Sequence, residues 1–229
     1  MSTSLEPYQT ELIDSAMSID ALKFGSFTLK SGRQSPYFFN AGLLSTGPLL
    51  TSLCTAYAST IASALSPTST SPLPAFDILF GPAYKGIPLA ACTSLLLHTQ
   101  HNLPVGLAYD RKEAKDHGEG GTMVGVPVAG KRVLILDDVM TAGTAVRTAI
   151  ASIKAAGGEV VGVVMCLDRE EIGKDGGSTV RELEAELGGP GRVRAIIRMR
   201  DLMRWLEERD RTEDLKGMQA YWQQYGVKD

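Results

Sequence analysis

The chain has 229 residues, of which 44% are hydrophobic, and its formal net charge is −3 at pH 7. A chain of this size forms one large domain, or one domain with a small appendage, and has enough apolar side chains for a buried core. So slight a charge excludes a nucleic-acid binder held by bulk positive charge, although the 23 lysines and arginines leave room for a local basic site.

Three cysteines, Cys54, Cys92 and Cys166, lie in apolar runs at spacings that fit no metal site. We interpret them as buried free thiols of a reducing compartment. The N-terminus lacks a basic segment followed by an apolar run, and no stretch has the roughly 18 uncharged apolar residues of a membrane span. The sequence therefore predicts a cytoplasmic protein without a membrane partner.

The N-terminal part of the chain predicts a helix, two short strands and a second helix. Helical spacing defines the first helix, a proline marks the start of the second, and a stretch rich in Pro, Ser and Thr predicts an exposed loop or insertion. In order, these elements are the helix through Leu12, Ala16 and Ile19, the strands at 26–29 and 37–40, the helix from Pro48, and the loop at 66–74.

From residue 76 onward, short apolar runs alternate with helical patterns. Such runs are typical of strands buried on both faces, and their alternation with helices predicts an α/β fold with a mostly parallel sheet flanked by helices. The predicted strands lie at 76–80, 105–108, 132–136, 160–167 and 193–197, and the predicted helices at 87–97, 144–156, 201–208 and 214–225.

The most informative motif is VLILDDVMTAGTA at residues 133–145. An apolar strand runs into Asp137 and Asp138, and small residues then lead into a helix whose N-terminal N–H groups can hold a phosphate. Two carboxylates beside a phosphate repel it unless they bind ribose hydroxyls or a Mg²⁺ carried with the ligand. An acidic N-cap pair is the alternative for a bare DD pair, and the complete motif disfavours it. The motif predicts a site for a phosphorylated sugar and its metal ion at a strand end.

A polar segment, RKEAKDHGEGG at residues 111–121, follows a predicted strand. Its charges and three glycines predict a mobile surface loop. Such a segment alone is usually a solvated charge run. Beside a phosphate site its cations are candidates for contacts with a diphosphate, and the glycines suit a lid. These cations are Arg111, Lys112, Lys115 and His117.

Two further segments can contribute ligands. GPAYKG at 81–86 is another strand-to-helix turn, whose N–H groups and Lys85 could hold a second phosphate group; a plain turn with a solvated lysine is the alternative. In FGSFTLKSGRQSPYFFN at 24–40, Phe38 and Phe39 could stack on a planar ring, although core packing is the usual role of an aromatic strand.

Taken together, these motifs resemble the type I phosphoribosyltransferases. VLILDDVMTAGTA is similar to the family's phosphoribosyl-diphosphate signature. The segments FTLKSGRQSPYFFNAG, LFGPAYKGIPLA, DRKEAKDHGEGG and LDREE narrow the resemblance to the members that use orotate as acceptor. The resemblance extends from about residue 8 to the last helix.

The resemblance implies the type I phosphoribosyltransferase fold, with residues 1–45 as a small N-terminal α/β hood that binds the base and residues 46–229 as the core, in one compact domain overall. It implies transfer of a 5-phosphoribosyl group from phosphoribosyl diphosphate to orotate in pyrimidine biosynthesis, giving orotidine 5′-monophosphate and diphosphate. Mg²⁺ is the implied cofactor. The implied assembly is a homodimer in which the loop at 111–121 completes the neighbouring site.

The resemblance also implies roles for single residues, among which Lys112, Lys115, His117, Asp137 and Asp138 are the catalytic ones. On the sugar side, the implied contacts of ribose hydroxyls and Mg²⁺ are Asp137 and Asp138, those of the substrate include Val139 and Met140, and those of the 5′-phosphate are Thr141, Ala142, Gly143, Thr144 and Ala145. On the diphosphate side, the implied contacts are Tyr84, Lys85, Arg111, Lys112, Lys115 and His117. The resemblance also implies a ligand contact for Lys30 and contacts with orotate for Phe38, Phe39 and Arg169.

There are three alternatives: an enzyme of the same family with a different base, and two kinds of protein from other classes. A purine phosphoribosyltransferase is disfavoured by Arg169, because purines lack the carboxylate that an arginine fork binds. A non-catalytic sensor of the sugar diphosphate is disfavoured by the intact segment at 111–121 and by the lack of a helix-turn-helix or basic arm. A two-aspartate signalling domain would not need that segment.

The insertion at 66–74 indicates a fungal or other eukaryotic source.

Overall fold

The computed structural model describes residues 4–29, 31–70, 72–115, 121–140, 143–173 and 176–228. Within these residues the chain alternates strands and helices, with a short 3₁₀ turn at Ala41–Leu43. The helices are α1 (Pro7–Ser18), α2 (Gly47–Leu65), α3 (Gly86–His101), α4 (Thr144–Ala155), α5 (Thr179–Glu186), α6 (Met199–Glu208) and α7 (Thr212–Tyr225). The strands are β1 (Leu22–Thr28), β2 (Gln34–Phe39), β3 (Ile78–Gly81), β4 (Gly106–Lys115), β5 (Gly121–Gly125), β6 (Arg132–Met140), β7 (Glu159–Asp168) and β8 (Val193–Arg198).

Six strands form the main sheet in the order β5-β4-β3-β6-β7-β8. β4 and β5 pair antiparallel, and every other neighbouring pair is parallel. The carboxyl ends of β3, β4, β6 and β7 therefore meet at one edge, where ligands bind in sheets of this kind. The predicted α/β fold with a mostly parallel sheet flanked by helices is confirmed.

The side chains of β6 alternate between the two faces of the sheet. Val133 and Ile135 belong to the apolar cluster beneath α4 and α5, whereas Leu134 and Leu136 belong to the cluster that includes α1, α2, α3, α6 and α7. All four side chains are 0% exposed. A strand buried on both faces has no polar alternation to mark it, and this explains the uninterrupted apolar run in the sequence.

A two-stranded antiparallel sheet of β1 and β2 lies apart from the main sheet. These strands are longer than the predicted ones at 26–29 and 37–40. Leu12 of α1, Tyr37 of β2 and Leu53 of α2 share one buried cluster, so the N-terminal elements pack on the rest of the chain. The division at residue 45 stays a prediction.

The helix α2 has 19 residues and is long and apolar enough, by length and composition alone, to cross a membrane. The core helix of a protein can pass the same test, so the expectation of a chain without a membrane span stays a prediction. The apolar side chains of α2 lie inside the protein, because Leu53, Cys54, Tyr57 and Ile61 are at most 1% exposed. Helices that are apolar on most sides are typical of buried cores as well as membranes.

The structure differs from the sequence-based prediction at residues 111–115. This stretch was expected in a mobile loop, but it continues β4, and Lys115 pairs with Gly121 of β5. Strand pairing satisfies the main-chain N–H and C=O groups whatever the side chains are, so a charged sequence can still form a ribbon. The prediction of a loop is therefore wrong for 111–115, and residues 116–120 lie outside the described residues.

Two further elements differ from expectation. β6 continues to Met140, so Asp137 and Asp138 lie within the strand instead of after it. Pairing with β7 extends this far, since Met140 is in register with Asp168. The helix α5 was not predicted, because it has eight residues and its one buried side chain, Leu183, leaves no apolar periodicity to read.

Candidate active site

Two strand-to-helix connections meet at the carboxyl edge of the sheet. Lys85, between β3 and α3, places its Nζ 3.0 Å from Oδ2 of Asp138, near the end of β6. The lysine side chain is 67% exposed and that of the aspartate is 18% exposed, so the pair is accessible from solvent. The structure thus brings together two residues that the sequence assigned to separate parts of one site.

Asp137 lies deeper than Asp138 in the same strand. Burial and the neighbouring charge of Asp138 raise the pKa of Asp137 to about 6, although Lys85 acts in the opposite direction. The backbone carbonyl of Asp137 accepts a hydrogen bond of 2.6 Å from the hydroxyl of Tyr57 in α2. Two adjacent carboxyl groups are therefore held at the strand end with one nearby cation, a charge excess that favours binding of a further cation.

The described start of α4 has features that suit an anion. Gly143 precedes the helix with a φ of +69°, in the left-handed region that favours glycine. Thr144 and Ala145, the first residues of α4, are exposed, and the N–H groups in the first turn of a helix have no partner within the helix. The predicted contacts of Thr141 and Ala142 lie outside the described residues.

The backbone before Lys85 turns very tightly. A Cβ placed on Gly81 would lie 2.1 Å from the carbonyl oxygen of Gly86, so a side chain there would displace main chain. The peptide between Ala83 and Tyr84 is cis, and the N–H of Ala83 donates a 2.6 Å hydrogen bond to Oδ1 of Asp110 in β4. The turn is thereby fixed between two neighbouring strands.

Cations of β4 approach this turn. Lys112 places its Nζ 4.8 Å from the ring centroid of Tyr84, whose side chain is 64% exposed. Arg111 precedes it in the strand. The backbone of Lys115 lies at the end of the described part of β4, and the predicted role of His117 falls outside the described residues. Among the predicted lid residues, Lys112 therefore borders the same turn as Lys85.

The predicted base-binding residues gather around β2. The guanidinium of Arg169, which follows β7, lies 4.2 Å from the ring centroid of Tyr37 and donates a 2.8 Å hydrogen bond to the hydroxyl oxygen of Ser35. Phe38 is 42% exposed, whereas Phe39 is partly buried against the core. The ring of Phe38 is thus accessible to a ligand, whereas the ring of Phe39 is part of the core packing. The predicted contact of Lys30 lies outside the described residues.

The base region and the sugar-phosphate region are neighbours. A Cβ placed on Gly42, just after β2, would lie 4.0 Å from Cε of Lys85. On the other side, Arg169 directly follows Asp168, which is in register with Met140 at the end of β6. Val139 packs against the core and Met140 is 6% exposed, so these two residues can face a ligand mainly through their backbone.

Several residues of the site escaped the sequence reasoning. Tyr57 and Asp110 support its backbone from other elements, and Ser35 and Glu171 contact Arg169. Glu171 belongs to the LDREE segment, whereas Tyr57 lies in no motif of the sequence. A buried tyrosine gives no sign in the sequence of what its hydroxyl reaches, but a carboxylate two residues from a candidate arginine does indicate a partner.

The carboxylates of the site fit a metal ion that arrives with a ligand. Among the described residues, no group of three or more His, Cys, Asp or Glu side chains could hold an ion alone. Mg²⁺ is usually bound by one or two carboxylates together with substrate phosphates and water. Asp137 and Asp138 supply that number of carboxylates on β6, the strand that precedes α4.

Comparison with known proteins agrees with this arrangement. The phosphoribosyl transferase domain model matches residues 61–183. The chain is 47% identical over 227 residues to an orotate phosphoribosyltransferase of Acinetobacter baumannii, covering 99% of this chain and 100% of the relative. It is 49% identical over 225 residues to that of Nitrosococcus oceani, covering 98% of each.

A solved structure is similar along nearly the whole chain. The crystal structure of orotate phosphoribosyltransferase from Francisella tularensis superposes with a TM-score of 0.81 and 39% identity, covering 95% of this chain and 100% of that one. These relatives are bacterial, so they lend no support to the expectation of a fungal or other eukaryotic source.

The fold and the matched domain define a class: the chain belongs to the phosphoribosyltransferase family. The full-length relatives then specify the member. It is one of the orotate phosphoribosyltransferases, the pentosyltransferases that convert orotate and phosphoribosyl diphosphate to orotidine 5′-monophosphate and diphosphate in pyrimidine biosynthesis.

Proposed function

We propose that the sheet edge formed by β3, β4 and β6 binds phosphoribosyl diphosphate with Mg²⁺, and that the region between β2 and Arg169 binds orotate. The observation that carries this assignment is the 3.0 Å contact of Lys85 with Asp138. It joins a cation suited to a diphosphate with a carboxylate suited to ribose hydroxyls or a metal, at the edge where this fold class binds its ligands.

On the sugar side, Asp137 and Asp138 accept hydrogen bonds from the ribose hydroxyls. Gly143, Thr144 and Ala145 hold the 5′-phosphate at the N-terminus of α4, where unpaired N–H groups and the helix dipole favour an anion. Thr141 and Ala142 complete this cradle. Fixing the two ends of the sugar leaves the anomeric carbon between the diphosphate and the base, the geometry that a displacement needs.

On the leaving-group side, negative charge accumulates as the bond from the anomeric carbon to the diphosphate oxygen breaks. The backbone around Tyr84, together with Lys85, Arg111, Lys112, Lys115 and His117, supplies the donors that stabilise this charge. Preorganised cations act most strongly where water is excluded, and closure of the β4–β5 ribbon over the site would exclude it. The same closure protects the sugar from hydrolysis.

On the base side, a ring nitrogen of orotate attacks the anomeric carbon as the diphosphate leaves, with no covalent enzyme intermediate. Arg169 binds the orotate carboxylate and Lys30 contributes a further ligand contact. Phe38, whose side chain is exposed, is the aromatic residue available to the ring, whereas Phe39 points to the opposite face of β2 and packs against the core. An aromatic face favours a flat ligand, and a guanidinium favours a carboxylate, so together they select orotate among the bases.

Mg²⁺, when bound with phosphoribosyl diphosphate, supplies charge that offsets the departing diphosphate. In this chain Asp137 and Asp138 would hold it. The raised pKa of Asp137, caused by burial and by Asp138, indicates that the free site carries a carboxylate repulsion that a cation relieves. Removal of divalent metal with EDTA is expected to abolish turnover, and added Mg²⁺ to restore it.

We also propose a homodimer in which the β4–β5 ribbon completes the neighbouring site. β4 pairs with β3 only as far as Tyr109, and the rest of the strand, with Lys112 and Glu113 exposed, extends beyond the sheet as a two-stranded ribbon. A projecting ribbon that carries cations suits a site on another copy of the chain, because the sheet edge of its own subunit does not need a ribbon of that length.

Subunit complementation tests the shared site. Asp137→Asn/Asp138→Asn and Lys112→Ala/Lys115→Ala are each expected to be inactive alone. Mixed dimers contain one site that has both intact parts, so mixing should restore up to about one quarter of wild-type activity, the share expected for statistical exchange between C2 subunits. A mixture without any gain, although light scattering shows subunit exchange, would place the ribbon over its own subunit.

Titration calorimetry tests the sugar site directly. Phosphoribosyl diphosphate with Mg²⁺ should bind the wild type and show no measurable heat with Asp137→Asn/Asp138→Asn, because the variant lacks both carboxylates. Glu182→Gln, which removes a surface carboxylate paired with Arg147, is the matched control and should bind normally. Unchanged affinity in the double variant would reject the assignment of these aspartates.

We place the enzyme in the cytoplasm. The three cysteines are free, and two of them, Cys54 and Cys166, are buried. Free thiols are typical of reducing compartments, in which disulfides do not persist. Fractionation of cells that express the protein, with a cytoplasmic marker enzyme as reference, would check this proposal.

A further inference from the structure

We propose that Glu171 is a positioning residue for orotate recognition: it orients Arg169 and, through Tyr221, makes the C-terminal helix α7 part of the base site. This inference rests on the proposed contact of Arg169 with the orotate carboxylate. It assigns no contact with substrate to Glu171 or Tyr221. Both act through the guanidinium that they help to fix.

Arg169 is held on three sides. Its Nε donates a 2.6 Å hydrogen bond to Oε1 of Glu171, and its Nη2 donates one of 2.8 Å to the hydroxyl of Ser35. The guanidinium also lies 4.2 Å from the ring centroid of Tyr37. The side chain is 7% exposed. Because these contacts use Nε and Nη2, they fix the plane in which the guanidinium is presented to a ligand.

Glu171 collects contacts from three separate parts of the chain. Its Oε1 also accepts a 3.0 Å hydrogen bond from the hydroxyl of Tyr221 in α7, and its Oε2 lies 3.4 Å from Nη1 of Arg33 in the turn between β1 and β2. Burial and the Glu171 carboxylate raise the pKa of Tyr221 to about 12, so its hydroxyl remains a donor at neutral pH. The Glu171 carboxylate therefore has contacts with Arg33 in the turn between β1 and β2, with Tyr221 in α7 and with Arg169.

The backbone around Glu171 is fixed to the end of α7. The carbonyl of Glu170 accepts a hydrogen bond from the N–H of Val227, and the N–H of Ile172 donates to the carbonyl of Tyr225, each at 2.8 Å. Glu170 has a φ of +47°, in the left-handed region, and its carboxylate pairs with Arg200 of α6. The carboxylates of Glu170 and Glu171 thus point to opposite sides: that of Glu170 pairs with α6, and that of Glu171 faces the base region.

Loss of this support has a specific expected signature. A guanidinium without its carboxylate partner can rotate, which weakens the contact with the orotate carboxylate in both ground and transition states. Such uniform weakening raises the KM for orotate and leaves kcat largely unchanged. The KM for phosphoribosyl diphosphate should not move, because its proposed ligands lie on β4 and β6, in the turn between β3 and α3 and at the start of α4. A merely structural role would alter thermal stability or both KM values.

Steady-state kinetics on Glu171→Gln and Tyr221→Phe provide the test. Glu171→Gln keeps the shape and removes the charge, and we expect an increase in the orotate KM of about tenfold, the scale of a lost charged hydrogen bond. Tyr221→Phe removes one hydroxyl and should raise it about threefold, as expected for a neutral hydrogen bond. The KM for phosphoribosyl diphosphate should stay within about twofold in both, as for sites without shared partners. Glu182→Gln, which removes another salt-bridged carboxylate, should change neither.

Arg169→Gln separates this inference from the function on which it rests. If Arg169→Gln leaves the orotate KM unchanged, the proposed role of Arg169 fails. If it raises that KM but Glu171→Gln and Tyr221→Phe do not, only the positioning role is overturned. In the Arg169→Gln background, Glu171→Gln should add nothing, whereas an independent additive effect contradicts the inference. Should Glu171→Gln misfold, Tyr221→Phe alone decides between these results.

Discussion

Lys85 and Asp138, 53 residues apart in sequence, form a 3.0 Å ion pair at the edge of the sheet. A cation suited to the diphosphate is thus paired with a carboxylate suited to the sugar. Ligand binding must exchange this contact for new ones, since a diphosphate competes for the lysine and a metal ion or hydroxyl for the aspartate. The pair therefore links the two halves of the sugar-diphosphate site.

Lys85→Ala should separate function from stability at this pair. An exposed ion pair contributes at most about 1 kcal/mol to the free energy of unfolding, so urea unfolding should change little. The value of kcat/KM for phosphoribosyl diphosphate should fall about 100-fold, the scale of a lost transition-state donor.

Lys216→Ala is the matched control for Lys85→Ala. Lys216 is 65% exposed and pairs with Glu213 at 2.8 Å, away from the site. Lys216→Ala should alter neither the free energy of unfolding nor turnover. Normal kcat/KM in Lys85→Ala would contradict the diphosphate contact.

The protonation of Asp137 should be visible in the pH dependence of stability. Its pKa is raised from 3.8 to about 6 by burial and by Asp138, so the folded state binds more protons than the unfolded state in this interval. The contribution of Asp137 to the free energy of unfolding therefore decreases as pH rises from about 4 to about 6 and is constant above it.

Urea unfolding of the wild type and Asp137→Asn at several pH values checks this sign. The difference between wild type and variant should decline over that interval. Asp138→Asn should move the midpoint to lower pH, because one of the two causes is removed. A difference that rises with pH would show that the pKa of Asp137 is depressed instead.

Gly81→Ala should be strongly destabilising. The new Cβ would lie 2.1 Å from the backbone oxygen of Gly86, so strand and helix must separate. We expect a loss of about 3 kcal/mol or more in the free energy of unfolding, as for other steric clashes with buried backbone.

Gly47→Ala is the corresponding control, measured by the same denaturant titration. It lies at the start of α2 with nothing within 4 Å of the added Cβ, and should change the free energy by no more than about 1 kcal/mol. Equal stability of Gly81→Ala and Gly47→Ala would refute the close approach.

Lys112→Ala and Lys115→Ala should each lower kcat by about 100-fold, because each removes charge that stabilises the departing diphosphate. The contact of Lys112 with the exposed Tyr84 ring is worth about 1 kcal/mol or less, so it can be released when a ligand binds. Glu113→Gln on the same ribbon should retain turnover. Near-normal kcat in both lysine variants would exclude the ribbon from the reaction.

Much of the fold could be predicted from local patterns. Apolar runs gave β3, β6 and β7, because a strand buried on both faces needs a continuous apolar sequence. The ribbon formed by β4 and β5 could not be predicted in this way, since its pairing rests on main-chain hydrogen bonds that polar residues such as Lys112 permit equally well. The motif at Asp137 and Asp138 indicated the ligand class before any geometry was known.

The remaining part of the site depends on contacts between distant residues. Tyr57 reaches the carbonyl of Asp137 across 80 positions, and Tyr221 reaches Glu171 across 50. No local pattern encodes such partners, because they are set by the packing of α2 and α7 on the sheet. Sequence reasoning named Arg169, whose chemistry is characteristic, and missed the residues that orient it.

The most direct test of the account is a substrate comparison with the purified protein. Loss of orotate absorbance is followed in the presence of phosphoribosyl diphosphate and Mg²⁺, and diphosphate release is measured in parallel with hypoxanthine and adenine. We expect turnover with orotate and none above background with either purine. Turnover of a purine at a comparable rate, or no turnover of orotate, would contradict it.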